Sequence, residues 1–340
     1  MSMTADLKAP SPRPDPVGET IAETRDVSKA FVYRKASLTR AAEIFNAVDK
    51  VSLCLERSET LAIVGESGCG KSTFGRLIAG LMPPSSGEAT FRGNSYATLS
   101  AEDWRASRRN VQIIFQDAAG SLDPRLPVEI QVREPLDLHG IGSRADRAAR
   151  TREMLDAVQL GRHLWQAVPS ELSGGQQQRV VIARALIMKP ELVICDEPVS
   201  ALDVSIQAQI LSLLADLKSR MGLTLVFISH DLAVVRQIAD RVAVMYLGRV
   251  CECGPAGQVL SHPRHPYTKA LLSAVPVPDP AVKRTRLLLA GDPPSPHTPP
   301  AGCRFHTRCP VAVGICSEQA PERQFLNGHE VQCHFPENAP

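Results

Sequence analysis

A glycine-rich segment in the first quarter of the chain has the composition of a phosphate-binding loop. It reads Gly65-Glu-Ser-Gly-Cys-Gly-Lys71-Ser72 and follows an apolar run that ends at Val64. Glycines let the main chain curl so that successive N–H groups face phosphate oxygens. The lysine places a cation on the β and γ phosphates, and the serine hydroxyl binds Mg²⁺. The segment therefore predicts a site for a nucleoside triphosphate and Mg²⁺.

An acidic pair follows a second apolar run, in Leu192-Val-Ile-Cys-Asp196-Glu197. A carboxylate at the end of a buried strand is unfavourable unless it meets a cation. We therefore expect Asp196 to hold Mg²⁺ and Glu197 to polarise the attacking water. Without the glycine-rich segment upstream, the same pair would more simply mark a solvated strand end.

A second glycine-rich segment, Leu172-Ser-Gly-Gly-Gln176, precedes an apolar helix predicted over 178–188. The N-terminus of a helix carries free N–H groups and the positive end of its dipole, and both favour an anion. A glycine-rich helix cap is the simpler alternative for such a segment. Together with the first loop, however, it predicts that one chain carries two phosphate-binding loops.

In their order along the chain, these segments resemble the ATP-binding cassette (ABC) family of transporter ATPases. The resemblance covers most of the chain and implies ATP as the nucleotide. It also implies that Gln116 reaches toward Mg²⁺ and the water, and that His230 contacts the γ-phosphate and senses its loss. In the segment Val27-Ser-Lys-Ala-Phe31, the aromatic residue is implied to stack on adenine, with Tyr33 as the alternative.

The resemblance assigns three groups of site residues. The catalytic group is Glu197, His230 and Gln116. The Mg²⁺ group is Ser72, Gln116 and Asp196. The residues implied to contact ATP are Phe31, Gly65, Ser67, Gly68, Cys69, Gly70, Lys71, Ser72, Thr73, Ser173, Gly174, Gly175, Gln176 and Asp203.

Two further segments resemble the dipeptide and oligopeptide importer subfamily of ABC ATPases. They are 196–205, which continues the acidic pair, and His265-Pro-Tyr-Thr-Lys-Ala-Leu-Leu-Ser273. The subfamily also serves nickel, glutathione and other small solutes, so the solute stays open. After Gln116 the chain departs from the subfamily, because Ala118 and Ala119 stand where relatives more often have proline and an aromatic residue. This departure weakens any inference about the contact with a membrane subunit.

Four cysteines near the C-terminus, Cys303, Cys309, Cys316 and Cys333, predict a metal centre. They lie within 31 residues of low hydrophobic content, with five, six and sixteen residues between them. Such a segment buries little core, so a metal would hold it together. The spacings lack the close pairs of a zinc ribbon. They suit a [4Fe-4S] cluster, which the subfamily's tails also resemble, while Zn²⁺ and free thiols remain alternatives. The other strand cysteines are expected to be small buried hydrophobes: Cys54, Cys195, Cys251 and Cys253.

The elements that must position these residues predict an α/β fold of the P-loop NTPase (RecA-like) type. Alternating apolar residues before Val64 indicate strands of an antiparallel β subdomain, and the later strand–helix alternation indicates a parallel sheet covered by helices. We expect a disordered leader over 1–20 and an ABC ATPase domain over 21–255. A helical subdomain is expected at about 120–175, and a Cys-rich C-terminal extension over 256–340.

Composition narrows the class of protein. The formal net charge is +2, from 38 basic and 36 acidic residues, which gives no reason to expect nucleic acid as a partner. No apolar stretch reaches the roughly 18 residues that span a bilayer.

The second phosphate-binding loop argues against two other classes of P-loop protein. A soluble P-loop kinase or GTPase switch needs no second phosphate-binding loop. ABC ATPases of DNA repair or translation generally carry a coiled-coil insertion or two cassettes, and neither is found in this sequence.

The resemblance also implies the partners. A second ABC ATPase subunit, expected to be a related heterodimer partner, would share two ATP molecules with this chain across a common interface. Two integral membrane permease subunits would respond to closing and reopening, and an extracytoplasmic solute-binding protein would deliver the solute. The expected location is the cytoplasmic face of the inner membrane, with the chain attached peripherally.

Overall fold

The computed structural model describes residues 18–34, 43–275, 287, 289, 291–326 and 328–336. The expected leader over 1–20 falls almost wholly outside these ranges. The strands are β1 (Thr20–Arg34), β2 (Glu43–Glu56), β3 (Thr60–Val64), β4 (Ser86–Phe91), β5 (Asn94–Ser95), β6 (Val111–Ile114), β7 (Leu192–Asp196), β8 (Thr224–Ser229), β9 (Arg241–Tyr246), β10 (Arg249–Pro255), β11 (Gln324–Leu326) and β12 (His329–Val331). The α-helices are α1 (Lys71–Ile78), α2 (Ala101–Ser107), α3 (Val128–Leu138), α4 (Arg144–Ala157), α5 (Gly174–Leu186), α6 (Val204–Met221), α7 (Leu232–Ile238), α8 (Ala256–Val259), α9 (Pro266–Ser273) and α10 (Gly314–Glu318).

A four-stranded antiparallel sheet precedes and flanks the phosphate-binding loop, in the order β2-β1-β4-β5. On β2 the apolar side chains of Val48, Val51, Leu53 and Leu55 are all buried. They pack against α1 in the same apolar cluster as Phe74. Burial of this set fixes β2 beside the start of α1.

The central sheet has eight strands in the order β11-β12-β10-β9-β3-β8-β7-β6. Five neighbouring strands of this sheet run parallel to one another, in the order β9-β3-β8-β7-β6. Strands β3, β7 and β8 are buried along their whole length, as expected for continuous apolar strands covered on both faces. Because parallel strands end at the same edge, the loops that follow β3, β8, β7 and β6 lie side by side.

Helices α3, α4 and α5 form the helical region; α3 and α4 lie inside the predicted 120–175 segment, and α5 begins at its end and continues to Leu186. Their apolar sides meet in one core, to which Val132, Leu155, Trp165 and Val180 contribute. Helix α4 begins with a capping box in which Ser143 and Asp146 each bond the other's main chain. This pairing satisfies helix N–H groups and defines where the helix starts.

The C-terminal residues continue the central sheet. Strand β12 pairs with β10, Glu252 opposite Val331, and β11 pairs with β12. Phe305 is buried against Tyr246 and Tyr267, with ring centroids 5.2 and 5.3 Å apart. The extension is therefore packed onto the central sheet. No helix among the described residues is long and apolar enough to cross a membrane.

Candidate active site

The phosphate-binding loop joins the buried strand β3 to helix α1 and is shaped by glycines at two close approaches. Gly65 and Gly70 have φ values of +152° and +104°. A Cβ on Gly65 would lie 2.2 Å from the Met245 carbonyl oxygen, and one on Gly70 would lie 2.1 Å from the Ala47 carbonyl oxygen. Any side chain at either position would displace main chain, so the loop's curvature requires glycine there.

Lys71, the first residue of α1, turns back across the loop. Its Nζ donates to the carbonyl oxygens of Gly65 at 2.9 Å and Glu66 at 3.0 Å. The side chain is only 5% exposed. The cation is thus held in the concave side of the loop, where phosphate oxygens would compete for it.

Ser72 and Asp196 meet at the adjoining strand end. The Ser72 hydroxyl donates to Asp196 Oδ1 at 2.7 Å. A hydroxyl and a carboxylate are ligands that suit Mg²⁺, which completes its shell with phosphate oxygens and water. No group of three His, Cys, Asp or Glu side chains in the described ranges is placed to hold a metal ion. A Mg²⁺ site of this type does not need such a group, because it uses only one or two carboxylates.

The three residues with expected catalytic roles come together at the ends of neighbouring parallel strands β6, β7 and β8. Glu197 Oε2 accepts from Gln116 Nε2 at 3.2 Å and lies 3.2 Å from His230 Nδ1. Glu197 has φ +49°, which is uncommon for a residue with a side chain and which concentrates at functional sites. The Glu197 carboxylate thus lies within hydrogen-bonding distance of an amide and an imidazole, and Glu197 directly follows Asp196 in the chain.

The second glycine-rich loop contacts helices α5 and α6 rather than the three residues with expected catalytic roles. Ser173 caps helix α5: its hydroxyl accepts from the Gln176 N–H at 3.4 Å, and Gln176 Oε1 accepts from the Ser173 N–H at 2.9 Å. A Cβ on Gly175 would lie 2.6 Å from Ile206 of α6, so the glycine permits close helix packing. In the described part of the chain, no hydrogen bond joins Ser173–Gln176 to the loop at 65–73, Asp196, Glu197 or His230.

Asp203 lies at the N-cap of α6, next to Val204, whose side chain is 82% exposed. The Asp203 carbonyl accepts from the Gln207 N–H at 2.8 Å, and its own side chain makes no capping bond. The remaining loop positions are exposed at Ser67 and Gly68 and partly buried at Thr73.

Phe31 pairs with Phe45 across β1 and β2, with ring centroids 5.9 Å apart. Phe45 lies two residues from Ala47, whose carbonyl closes on Gly70, so the aromatic pair stands near the loop's C-terminal end. Tyr33 is instead stacked on His297 of the C-terminal extension, at 4.0 Å between centroids. The sequence carried no signal for His297, since it lies in a proline-rich segment far from β1.

Cys69 is 4% exposed, and its burial raises the pKa of the thiol. Cys195, Cys251 and Cys253 are buried as expected, while Cys54 is only partly buried. The buried cysteines therefore act as apolar side chains.

The four C-terminal cysteines line one cavity together with His265, His306 and His334. All four are free thiols. Burial raises the pKa of Cys303, of Cys309 and of Cys333, the last to about 11. The fold thus places the four side chains around one cavity, although no three of them, in the part of the chain that the structure describes, are arranged to hold a metal ion. A bound metal stays a prediction.

Comparisons with known proteins agree with this geometry. The family described as ABC transporter matches residues 48–200, and the family described as oligopeptide/dipeptide transporter, C-terminal region, matches 251–316. Oligopeptide transport ATP-binding protein AppF of Bacillus subtilis is 49% identical over 321 residues, which are 93% of this chain and 98% of AppF. Oligopeptide transport ATP-binding protein OppF of Salmonella typhimurium is 51% identical over 290 residues, 84% of this chain and 87% of OppF. A solved dimeric post-hydrolysis structure of the cassette MJ0796, bound to ADP and phosphate, superposes with a TM-score of 0.62 and 31% identity, covering 69% of this chain and 99% of that one.

Proposed function

Since the chain belongs to the ABC transporter ATPase family, we propose that it powers a peptide importer and hydrolyses ATP at the site built around Lys71 and Glu197. The observation that carries the proposal is the position of Glu197. Its carboxylate lies 3.2 Å from both Gln116 Nε2 and His230 Nδ1, and it directly follows Asp196, which accepts a hydrogen bond from Ser72. Peptide as the cargo is supported by the names of AppF and OppF.

The site residues divide the chemistry among themselves. The N–H groups of the loop and Lys71 bind the phosphates, and Ser72 and Asp196 would hold Mg²⁺. The ion supplies positive charge that offsets charge on the β and γ phosphates. Glu197 orients the attacking water and accepts its proton at a carboxylate oxygen. Gln116 and His230 hold that carboxylate in place, and His230 is the group expected to respond to loss of the γ-phosphate.

Complete sites require a second cassette. Among the described residues, the Ser173–Gln176 loop makes no hydrogen bond with the chain's own phosphate-binding loop. Ser173 and Gly174 are exposed. Its helix N-terminus suits the γ-phosphate of an ATP bound by a partner. The exposed Val204 beside Asp203 supports an interface at the same place. A related ABC subunit is the partner that we propose.

A cleft between the central sheet and the helical region is the proposed docking place for a permease. It has a volume of about 490 Å³ and is lined by Phe115, Leu138 and His139, among others. Leu138 is 78% exposed and Phe115 is 41% exposed. Because Phe115 directly precedes Gln116, a permease segment in this cleft would press on the segment that carries Gln116. Two permease subunits, with an extracytoplasmic solute-binding protein, would place the chain peripherally at the cytoplasmic face of the membrane.

For the four-cysteine cavity we propose an iron–sulfur cluster rather than a zinc ion. The proposal rests on the sequence, because the thiols are separated by five, six and sixteen residues and lack the close pairs of a zinc ribbon. Cys303, Cys309, Cys316 and Cys333 line a common cavity, and binding of a cluster would draw their sulfurs together. The cluster would hold the extension together through thiolate bonds.

Anaerobic purification tests the metal assignment. The protein is expected to be brown, with broad absorption near roughly 400 nm that is lost when any of the four cysteines is changed to serine. Stoichiometric zinc without iron would contradict the cluster, and metal-free protein with four reactive thiols would contradict both metals.

The transport role is tested by purifying the tagged chain from detergent-solubilised membranes and identifying the chains that co-purify. Two permeases and a second ABC subunit are expected. When the assembly is placed in proteoliposomes with the solute-binding protein, it should take up peptide only if ATP is present on the side of the membrane where this chain lies. Uptake that is independent of ATP, or an assembly without permeases, would refute the proposal.

A further inference from the structure

Glu66, the second residue of the phosphate-binding loop, is held by two residues of the C-terminal extension. Its main-chain N–H donates to the Tyr267 hydroxyl at 2.9 Å. Its carboxylate accepts from Arg308 Nη1, at 3.0 Å to each oxygen. Its carbonyl accepts from Lys71 Nζ at 3.0 Å, so the residue that the extension holds also orients the phosphate-binding lysine.

Tyr267 is fixed by a buried carboxylate on β10. Glu252 is fully buried and accepts from the N–H groups of Arg264 at 2.7 Å and His265 at 3.0 Å, just before α9. The Tyr267 N–H then donates to His265 Nδ1 at 3.1 Å. The Tyr267 side chain is fully buried beside Phe305. These contacts hold the buried ring in the position from which its hydroxyl meets the Glu66 N–H.

Arg308 is fixed by the cysteine-bearing segment. It ends a 3₁₀ turn, His306–Arg308, that stands between Cys303 and Cys309. The Cys303 N–H donates to the Cys316 carbonyl at 2.8 Å, which ties this turn to α10. The Arg308 side chain is 9% exposed and the Glu66 side chain 26%, so the ion pair is partly buried. A metal centre or a packing contact that holds the cysteine thiols would therefore also position the Arg308 guanidinium.

We propose that Tyr267 and Arg308 are positioning residues for the phosphate-binding loop, and that the C-terminal extension sets the affinity for ATP through Glu66. The inference rests on the ATP site proposed above and adds a means of regulation to it. A disturbance of the cysteine segment would move Arg308, then Glu66, and then the loop that holds Lys71. Neither Tyr267 nor Arg308 is among the residues expected to contact ATP.

The test measures binding of the fluorescent analogue mant-ATP to the full-length chain, well below the melting temperature of each variant. Arg308→Gln is expected to raise the Kd about tenfold, and Tyr267→Phe, which keeps the buried ring, about threefold. Arg308→Lys should recover part of the loss because it keeps the charge. Glu66→Gln combined with Arg308→Gln should raise the Kd no more than either single change, since both break the same ion pair.

Arg323→Gln is the matched control. Arg323 also lies in the extension, but it donates to the Lys50 carbonyl and pairs with Glu330, neither of which belongs to the loop at 65–73. Its loss should leave the Kd within twofold. A lower melting temperature with unchanged Kd for Arg308→Gln and Tyr267→Phe would mean that both are merely structural, and would overturn the inference. Absence of mant-ATP binding by the unmutated chain would overturn the proposed ATP site as well.

Discussion

The Ser72 hydroxyl donates a 2.7 Å hydrogen bond to the Asp196 carboxylate, which joins two loops that are 124 residues apart in the chain. The contact brings the end of β7 against the first turn of α1, where the phosphates are expected. It places two of the three residues expected to hold Mg²⁺, Ser72 and Asp196, in direct contact, while the third, Gln116, donates to Glu197. The Ser72–Asp196 hydrogen bond thereby links the start of α1 to the end of β7.

Ser72→Ala should remove most of the Mg²⁺ contribution to nucleotide binding. Mant-ATP is expected to bind the unmutated chain more tightly with Mg²⁺ than with EDTA, because the ion bridges the protein and the phosphates. In Ser72→Ala this difference should shrink about tenfold, while the Kd in EDTA stays within twofold. An undiminished Mg²⁺ effect in the variant would contradict the ligand role.

Gly70→Ala should abolish nucleotide binding and destabilise the chain by about 2 kcal/mol or more, since alanine disfavours a positive φ and its Cβ would meet the Ala47 carbonyl. Gly93→Ala is the matched control: Gly93 also has a positive φ, +73°, but open space around its Cα. It should destabilise by about 1 kcal/mol and leave binding intact. Thermal melts and mant-ATP titration measure both, and equal effects of the two changes would contradict the account.

Cys69 should react slowly with iodoacetamide at pH 7, because burial raises the pKa of its thiol and only the thiolate attacks. The rate should still be rising with pH at about pH 9, without a plateau. Cys54, which is partly exposed, serves as the internal reference and should be alkylated first. Peptide mass spectrometry gives both rates, and a fast reaction of Cys69 at pH 7 would show that the loop opens.

Ser173→Arg should leave ATP binding to the isolated chain unchanged and reduce hydrolysis by the assembled transporter at least about 100-fold, because the loop serves the partner's nucleotide. Ser143→Arg removes the other exposed capping-box serine, at the start of α4. Ser143→Arg should reduce stability by about 1 kcal/mol through loss of the helix cap, as Ser173→Arg should, but it should not reduce hydrolysis. Comparable turnover in Ser173→Arg and unmutated transporters would contradict a shared site.

Local patterns in the sequence predict the parts of this site that are local in the chain. The strand–loop–helix around Lys71 follows from an apolar run, a glycine pattern and a second apolar run, and the family prediction built on it is confirmed. The start of α5 was predicted too late, at residue 178 rather than Gly174. A serine followed three residues later by glutamine, Ser173 and Gln176, is the capping-box signal that locates it.

Contacts between distant segments could not be predicted in this way. Strands β11 and β12 have three residues each, too short for a periodicity, and their place beside β10 depends on pairing across about 80 residues. The Arg308–Glu66 ion pair spans 242 residues, and neither side chain is unusual in its own segment. Such pairings are decided by packing, which a local pattern does not contain.

The hydrolysis rate of the assembled transporter carrying Glu197→Gln tests the central claim most directly. Glutamine keeps the shape of the side chain but cannot accept the proton of the attacking water, so turnover should fall at least about 100-fold. Mant-ATP binding should stay within about twofold, because Lys71 and the loop N–H groups are untouched. That combination is the result that the account predicts. Turnover equal to that of the unmutated transporter, with the nucleotide still bound, would contradict it.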